Sequence, residues 1–222
     1  MPSSPVPDQR PRPLVLLHGL GQSPIAWQDF VSALGAGRPM HAPWMKGLRP
    51  RDAVGFDLGD AAATVADELE LQGIRRADFL GVSIGGSVAL RLAVERPELV
   101  GRLVLAGALV RPSRTVLSMQ KAALRMVPKA RLLDAGVDRA RMLGAVDALK
   151  SLDASASLRQ VAAPTLVVVG SRDRAGLPAA QQLARDIPDA HLEVIDGAGG
   201  LLNTEAPAAL GDLTQRFLDS ER

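Results

Sequence analysis

Gly81-Val82-Ser83-Ile84-Gly85 is the stretch of this chain whose residue types and spacing most directly suggest chemistry. It is a G-x-S-x-G that follows a predicted strand and opens a predicted helix, the setting that holds a serine at a tight turn with its hydroxyl exposed. The spacing has a steric reason: a Cβ two positions to either side of the serine would collide with neighbouring backbone. The helix beginning at Gly86 sets the positive end of its dipole behind Ser83, which favours an alkoxide and the oxyanion formed from it. The chemistry implied is nucleophilic attack on a carbonyl carbon, and it needs a base to take the hydroxyl proton.

Composition limits the alternatives. The chain has 222 residues, 47% of them hydrophobic and 23% charged, enough to bury the core of one domain. Its 26 basic and 24 acidic residues are spread without a polybasic block, so neither nucleic acid nor an anionic membrane is the expected partner. There is no cysteine, which removes disulfides, thiolate nucleophiles and Cys-based zinc sites. No charged-then-apolar leader precedes residue 14 and no apolar run approaches the ~20 residues that cross a bilayer, so a cytoplasmic location is expected.

The elements that must position Ser83 can be read from periodicity. Residues 1–13 carry five prolines and read as a flexible or extended arm. Short Val/Leu-rich runs at 14–18, 77–82, 102–108, 165–170 and 191–195, with a weaker one at 38–43, have the continuous hydrophobicity of strands buried on both faces. Helical patterns lie between them at 26–34, about 58–71, 86–95 and 204–219. Strands alternating with helices predict an α/β fold, a doubly wound and mostly parallel sheet of about six strands. Residues 111–161 break the rhythm, with helical runs at 116–126 and 139–149 and no strand. This insertion is too long for an ordinary loop and is read as a small helical cap over the site edge of the sheet, between core segments 14–110 and 162–222.

With these landmarks in order, the chain resembles the α/β-hydrolase superfamily, in particular its compact esterases, enol-lactonases and non-metal haloperoxidases. The resemblance rests on "LLHGLGQSPIAW" (16–27), "GVSIGG" (81–86), "APTLVVVGSRD" (163–173) and "IDGAGGLLNTEAP" (195–207). It implies Ser83 as nucleophile, the backbone N–H groups of Leu20 and Ile84 as the oxyanion hole, and a bracing role for His18. It implies Asp173 as the acid of a triad, with Asp196 a weaker alternative. The family pattern places a histidine after the last strand, and alignment puts Gly200 on that position.

No other histidine replaces it well. His191 opens the final strand, about nine residues earlier, and at ~3.3 Å per residue it belongs near the opposite sheet edge. His41 ends the weak second strand, with no acid placed to orient it. The expected activity is therefore that of a carboxylic-ester, lactone or thioester hydrolase working through an acyl-enzyme on Ser83, crippled because the general base is missing. Three accounts fit: a substituted form of a hydrolase with His at 200, a binding protein or receptor using the hydrolase pocket, or a lyase, isomerase or cyclase that needs only the oxyanion hole. Trp27, Trp44 and Met119 are candidates to line an apolar pocket for a small-molecule substrate. "GAGG" lacks the G-x-G-x-x-G spacing and follows the last strand rather than the first, so no cofactor and no metal are expected.

Overall fold

The computed structural model describes residues 11–128, 132 and 137–220. Six parallel strands form one sheet in the order β2-β1-β3-β4-β5-β6, with β1 Leu14–Leu17, β2 Met40–His41, β3 Ala77–Val82, β4 Val100–Ala106, β5 Thr165–Gly170 and β6 Ala190–Ile195. The helices are α1 Gln28–Leu34, α2 Leu58–Leu71, α3 Ile84–Glu95, α4 Arg114–Met126, α5 Arg139–Ala148, α6 Leu177–Asp186, α7 Leu202–Glu205 and α8 Pro207–Asp219.

Alternating side chains of the inner strands feed two cores. Val15, Leu17, Phe79, Leu103, Leu105, Val167 and Val169 pack with α2, α3 and α6 on one face. Leu14, Leu16, Leu80, Val82, Val104, Ala106, Leu166 and Val168 pack with Trp27, Phe30, Leu210 and Phe217 on the other. Apolar side chains pointing both ways are what make β1, β3, β4 and β5 continuous hydrophobic runs. The edge strand β6 departs from that expectation: it is covered on fewer sides, and its Val194 is 51% exposed.

Three further differences from the sequence reading have local causes. Helix α6, absent from the expected pattern, buries only Ala180 and Leu183, too narrow a stripe to stand out. The expected helix 204–219 is two helices, because Pro207 drives Ala206 out of helical geometry, to φ −146° and ψ 54°. Helix α3 begins at Ile84, two residues early, directly on the serine.

Between β4 and β5 the described residues hold α4, α5 and two 3-10 turns, Leu149–Ser151 and Ser155–Gln160. Ser113 and Asp138 cap α4 and α5 by accepting from the N–H groups of Val116 and Arg141. Residues 1–10 of the proline-rich start lie outside the described residues. Its last residues are tied to the sheet: the Pro13 carbonyl accepts the Asp78 N–H at 2.9 Å, and Arg12 pairs with Asp78 at 2.9 Å. Arg38 reaches the other Asp78 oxygen at 3.0 Å, so a carboxylate buried at the start of β3 holds two guanidinium groups.

The chain leaves β1 for β2 on one side and returns to β3 on the other, so β1 and β3 flank the point where the strand order reverses. The loops at their C-terminal ends are where such sheets place ligands. Those loops carry His18-Gly19-Leu20 and Ser83.

Candidate active site

Ser83 sits between the last residue of β3 and the first of α3 with φ 53° and ψ −119°, one of two non-glycine residues with positive φ among the described residues. Such a backbone costs on the order of 1–3 kcal/mol and persists only where its surroundings enforce it. The flanking glycines do so. A Cβ on Gly81 would lie 2.3 Å from the Gly85 carbonyl oxygen, and one on Gly85 would lie 2.2 Å from the Leu17 carbonyl oxygen. Both must be glycine for α3 to begin against the end of β1.

The adjoining turn is held from within. The Gly19 N–H donates to Gln22 Oε1 at 2.9 Å, and Gln22 exchanges hydrogen bonds with Asn203, Nε2 to Oδ1 at 3.1 Å and Nδ2 to Oε1 at 3.2 Å. His18 is wholly buried, its ring edge-on to Trp44 with centroids 5.3 Å apart. Its Nδ1 stands 3.1 Å from the Gly19 carbonyl oxygen, which marks that nitrogen as the N–H of a neutral ring. Burial pushes its pKa down to about 4, against the smaller opposing pull of that carbonyl. The ring is thus enclosed within the turn, with Nε2 left without a hydrogen-bond partner among the described residues.

Asp173 follows β5. Its Oδ1 accepts the Gly176 N–H at 2.9 Å. Its Oδ2 lies 3.2 Å from the point where a Cβ on residue 200 would stand and 2.2 Å from the corresponding point on Gly176; apart from the Asp173 carboxylate nothing comes within 4 Å of the point at residue 200. Neither Gly199 nor Gly200 has positive φ; the left-handed residue of this loop is Gly197, at 72°. The loop's left-handed bend therefore belongs to Gly197, and the backbone does not demand glycine at 200.

The loop reaches this place because β5 ends in Gly170, where a Cβ would lie 2.2 Å from the Ala198 oxygen and 2.3 Å from the Gly199 oxygen. Glu205, one turn into the following helix, fixes its shape: its carboxylate accepts the Gly199 N–H at 2.8 Å and the Leu201 N–H at 3.1 Å.

Ser83, Asp173, Gly200 and Leu20 line one cavity of about 320 Å³, together with Glu205, Leu109 and the α4 residues Val116, Gln120 and Leu124. Ile84 follows Ser83 directly, buried as the first residue of α3; in the same turn the Gly86 and Ser87 N–H groups donate to the Ser83 carbonyl at 3.0 and 3.2 Å. The proposed pocket residues do not share it. Trp27 is 1% exposed, in the core against Phe30; Met119 is 67% exposed; Trp44 packs on His18. The aliphatic side chains of α4 take their place. His41, in the two-residue strand β2, is outside the lining, and His191 stacks edgewise on Phe217. Asp196 accepts from Ser171 Oγ at 2.9 Å on the surface, away from Ser83. A larger hollow of about 740 Å³ beside Arg51 and Arg141 holds none of these residues.

No group of three or more metal-ligating side chains occurs among the described residues, and no helix among them is long and apolar enough to cross a membrane.

Sheet order, a strained serine between strand and helix, and a carboxylate after the next-to-last strand together define an α/β-hydrolase scaffold. The chain belongs to the alpha/beta hydrolase family, which it matches over residues 14–213. It is 29% identical, across 94% of both chains, to the "Putative carbamate hydrolase RutD" of Pseudomonas savastanoi pv. phaseolicola. Over 43% of its length it is 40% identical to the 2-hydroxymuconate semialdehyde hydrolase of Pseudomonas sp., spanning 36% of that protein. Its fold is similar to the enol-lactonase from Burkholderia xenovorans, with TM-score 0.84 at 20% identity, covering 97% of this chain and 94% of that one.

Proposed function

We propose that Ser83 is the nucleophile of a carboxylic-ester, lactone or thioester hydrolase site, that the N–H groups of Leu20 and Ile84 receive the oxyanion, and that Asp173 is the acid for a base belonging at position 200. The observation that carries this reading is the Asp173 carboxylate, whose Oδ2 lies 3.2 Å from where a Cβ on residue 200 would stand, in the cavity that Ser83 also lines. The named functions of relatives, a carbamate hydrolase and a semialdehyde hydrolase, agree with carbonyl substrates. In this mechanism Ser83 Oγ would add to the substrate carbonyl, and its proton would need an acceptor between Oγ and Asp173. Glycine supplies none. Loss of the triad base in a serine protease costs about 10⁶ in turnover, with ~10³–10⁴ over water retained from the oxyanion hole and positioning. The chain should therefore be a very slow hydrolase.

The test pairs two measurements. Gly200→His should hydrolyse p-nitrophenyl butyrate at least ~10³-fold faster than the parent chain, and a fluorophosphonate should label it at Ser83 far faster. Rapid labelling of the parent chain would sink the claim that Ser83 lacks a base.

A further inference from the structure

We propose that the cavity takes acyl substrates bearing a weakly basic, imidazole-class nitrogen ring, which seats between Ser83 and Asp173 beside Gly200 and serves as the general base. The inference rests on the assignment of Ser83 and Asp173 above, and adds the substrate class.

Two observations, read with the open space beside Gly200, point to a ligand that donates N–H and gains positive charge. Asp173 Oδ2 has no hydrogen-bond partner among the described residues, whereas Oδ1 is held by Gly176. The charged side chains lining the cavity are Asp173 and Glu205, both acids, and no Lys, Arg or His is among the lining residues. A neutral acyl chain would leave Asp173 Oδ2 unused; the Glu205 carboxylate is already held by the Gly199 and Leu201 N–H groups and adds only its charge to the cavity. About 320 Å³ is room for a small ester with one five-membered ring.

The chemistry balances without another reactant than water. One ring nitrogen takes the Ser83 Oγ proton as the Oγ–C bond forms at the ester carbonyl, while the other ring N–H donates to Asp173 Oδ2. The protonated ring then delivers that proton to the departing alkoxide as the C–O bond breaks. In the second step water adds to the acyl carbon, its proton passes through the ring to Ser83 Oγ, and the free acid leaves. The base is needed in both steps, so the ring must belong to the acyl half of the substrate and not to the departing alcohol.

The probes are methyl 3-(imidazol-4-yl)propanoate and its five-membered isostere without a basic nitrogen, methyl 3-(furan-3-yl)propanoate. Release of acid is measured with the whole chain, and Ser83→Ala sets the background. The imidazole ester should be hydrolysed at least ~100-fold faster than the furan ester, the range of one positioned general base. That preference should collapse in Asp173→Asn, and in Gly200→His, where a histidine fills the same space. Free imidazole should accelerate fluorophosphonate labelling of Ser83 saturably, and N-methylimidazole, without an N–H for Asp173, should do so at least ~10-fold less. Equal rates for the two esters on the parent chain, with the furan ester cleaved by Gly200→His, would overturn the substrate class and leave the hydrolase site standing. If Gly200→His cleaves neither ester and Ser83 resists the fluorophosphonate, the site assignment fails and this inference with it.

Discussion

Gln22 and Asn203, 181 residues apart, face each other as a buried reciprocal amide pair, and through it the turn after β1 is locked to the helix after the Gly200 loop. Asn203 Nδ2 also donates to the Ala26 carbonyl at 3.1 Å, and Gln22 Oε1 holds the Gly19 N–H. Two of the loops that border Ser83 are thus one mechanical unit. Replacing Asn203 with leucine leaves the Gln22 amide and the Ala26 carbonyl buried without that partner, a cost of about 1–3 kcal/mol read by urea denaturation. In a Gly200→His background the same change should lower kcat more than it raises KM, since the turn that carries the oxyanion donor we propose is loosened. A variant that is less stable but has unchanged kcat would confine the pair to a structural role.

Glycines 85 and 200 should respond oppositely to alanine. At Gly85 the new methyl meets the backbone of β1 at 2.2 Å, so Gly85→Ala should destabilise by about 3 kcal/mol or fail to fold. At Gly200 the φ is ordinary and the methyl meets only the Asp173 carboxylate at 3.2 Å. Gly200→Ala should therefore stay within about 1 kcal/mol of the parent, and thermal unfolding of the pair checks the contrast.

His18 predicts a pH dependence of defined sign. Its folded pKa is lowered to about 4 by burial, so between about 6.5 and 4 the unfolded chain binds a proton that the folded chain refuses. The stability this group contributes is present above about pH 6.5, falls as the pH falls towards 4, and levels below that. The full effect is on the order of 3 kcal/mol. His18→Asn should be less stable at neutral pH and should lack this part of the slope, as followed by denaturant midpoints from pH 7.5 to 4.

Asp78 holds Arg12 and Arg38 at the foot of β3, with its own side chain and that of Arg38 nearly inaccessible to water. Removing the carboxylate leaves the Arg38 guanidinium buried without its strongest counter-charge. Asp78→Ala should cost about 3–5 kcal/mol, and the double change Asp78→Leu with Arg38→Met should recover much of it. Because the cluster lies at the end of the sheet opposite Ser83, the single variant should lose stability without a matching change in Ser83 labelling rate at temperatures where it remains folded.

What was legible beforehand follows from how local each signal is. Strands β1, β3, β4 and β5 announce themselves because each is short, apolar and buried on both sides, and the serine turn because its glycines lie within five residues of each other. That Asp173 and Gly200 lie together was reachable only through the family resemblance, since no short-range pattern links a carboxylate to a position 27 residues later. Gln22 with Asn203, and Arg12 with Asp78 and Arg38, left no trace in periodicity, because their partners meet only when the sheet closes. Trp27 and Met119 illustrate the reverse failure: residue type suggested a pocket, but burial in the α1 core and exposure on α4 decided otherwise.

The two hydrogen bonds from Gly199 and Leu201 to Glu205 have a consequence for how this chain could change over time. They set the loop's course from either side of residue 200 without using its side chain, so one substitution there alters the reagent offered to Ser83 while the presentation is inherited unchanged. Position 200 is in that sense an interchangeable fitting: histidine, lysine or glutamate would each project from the same Cα towards Asp173, and a panel of such variants would measure how reactivity depends on the group alone.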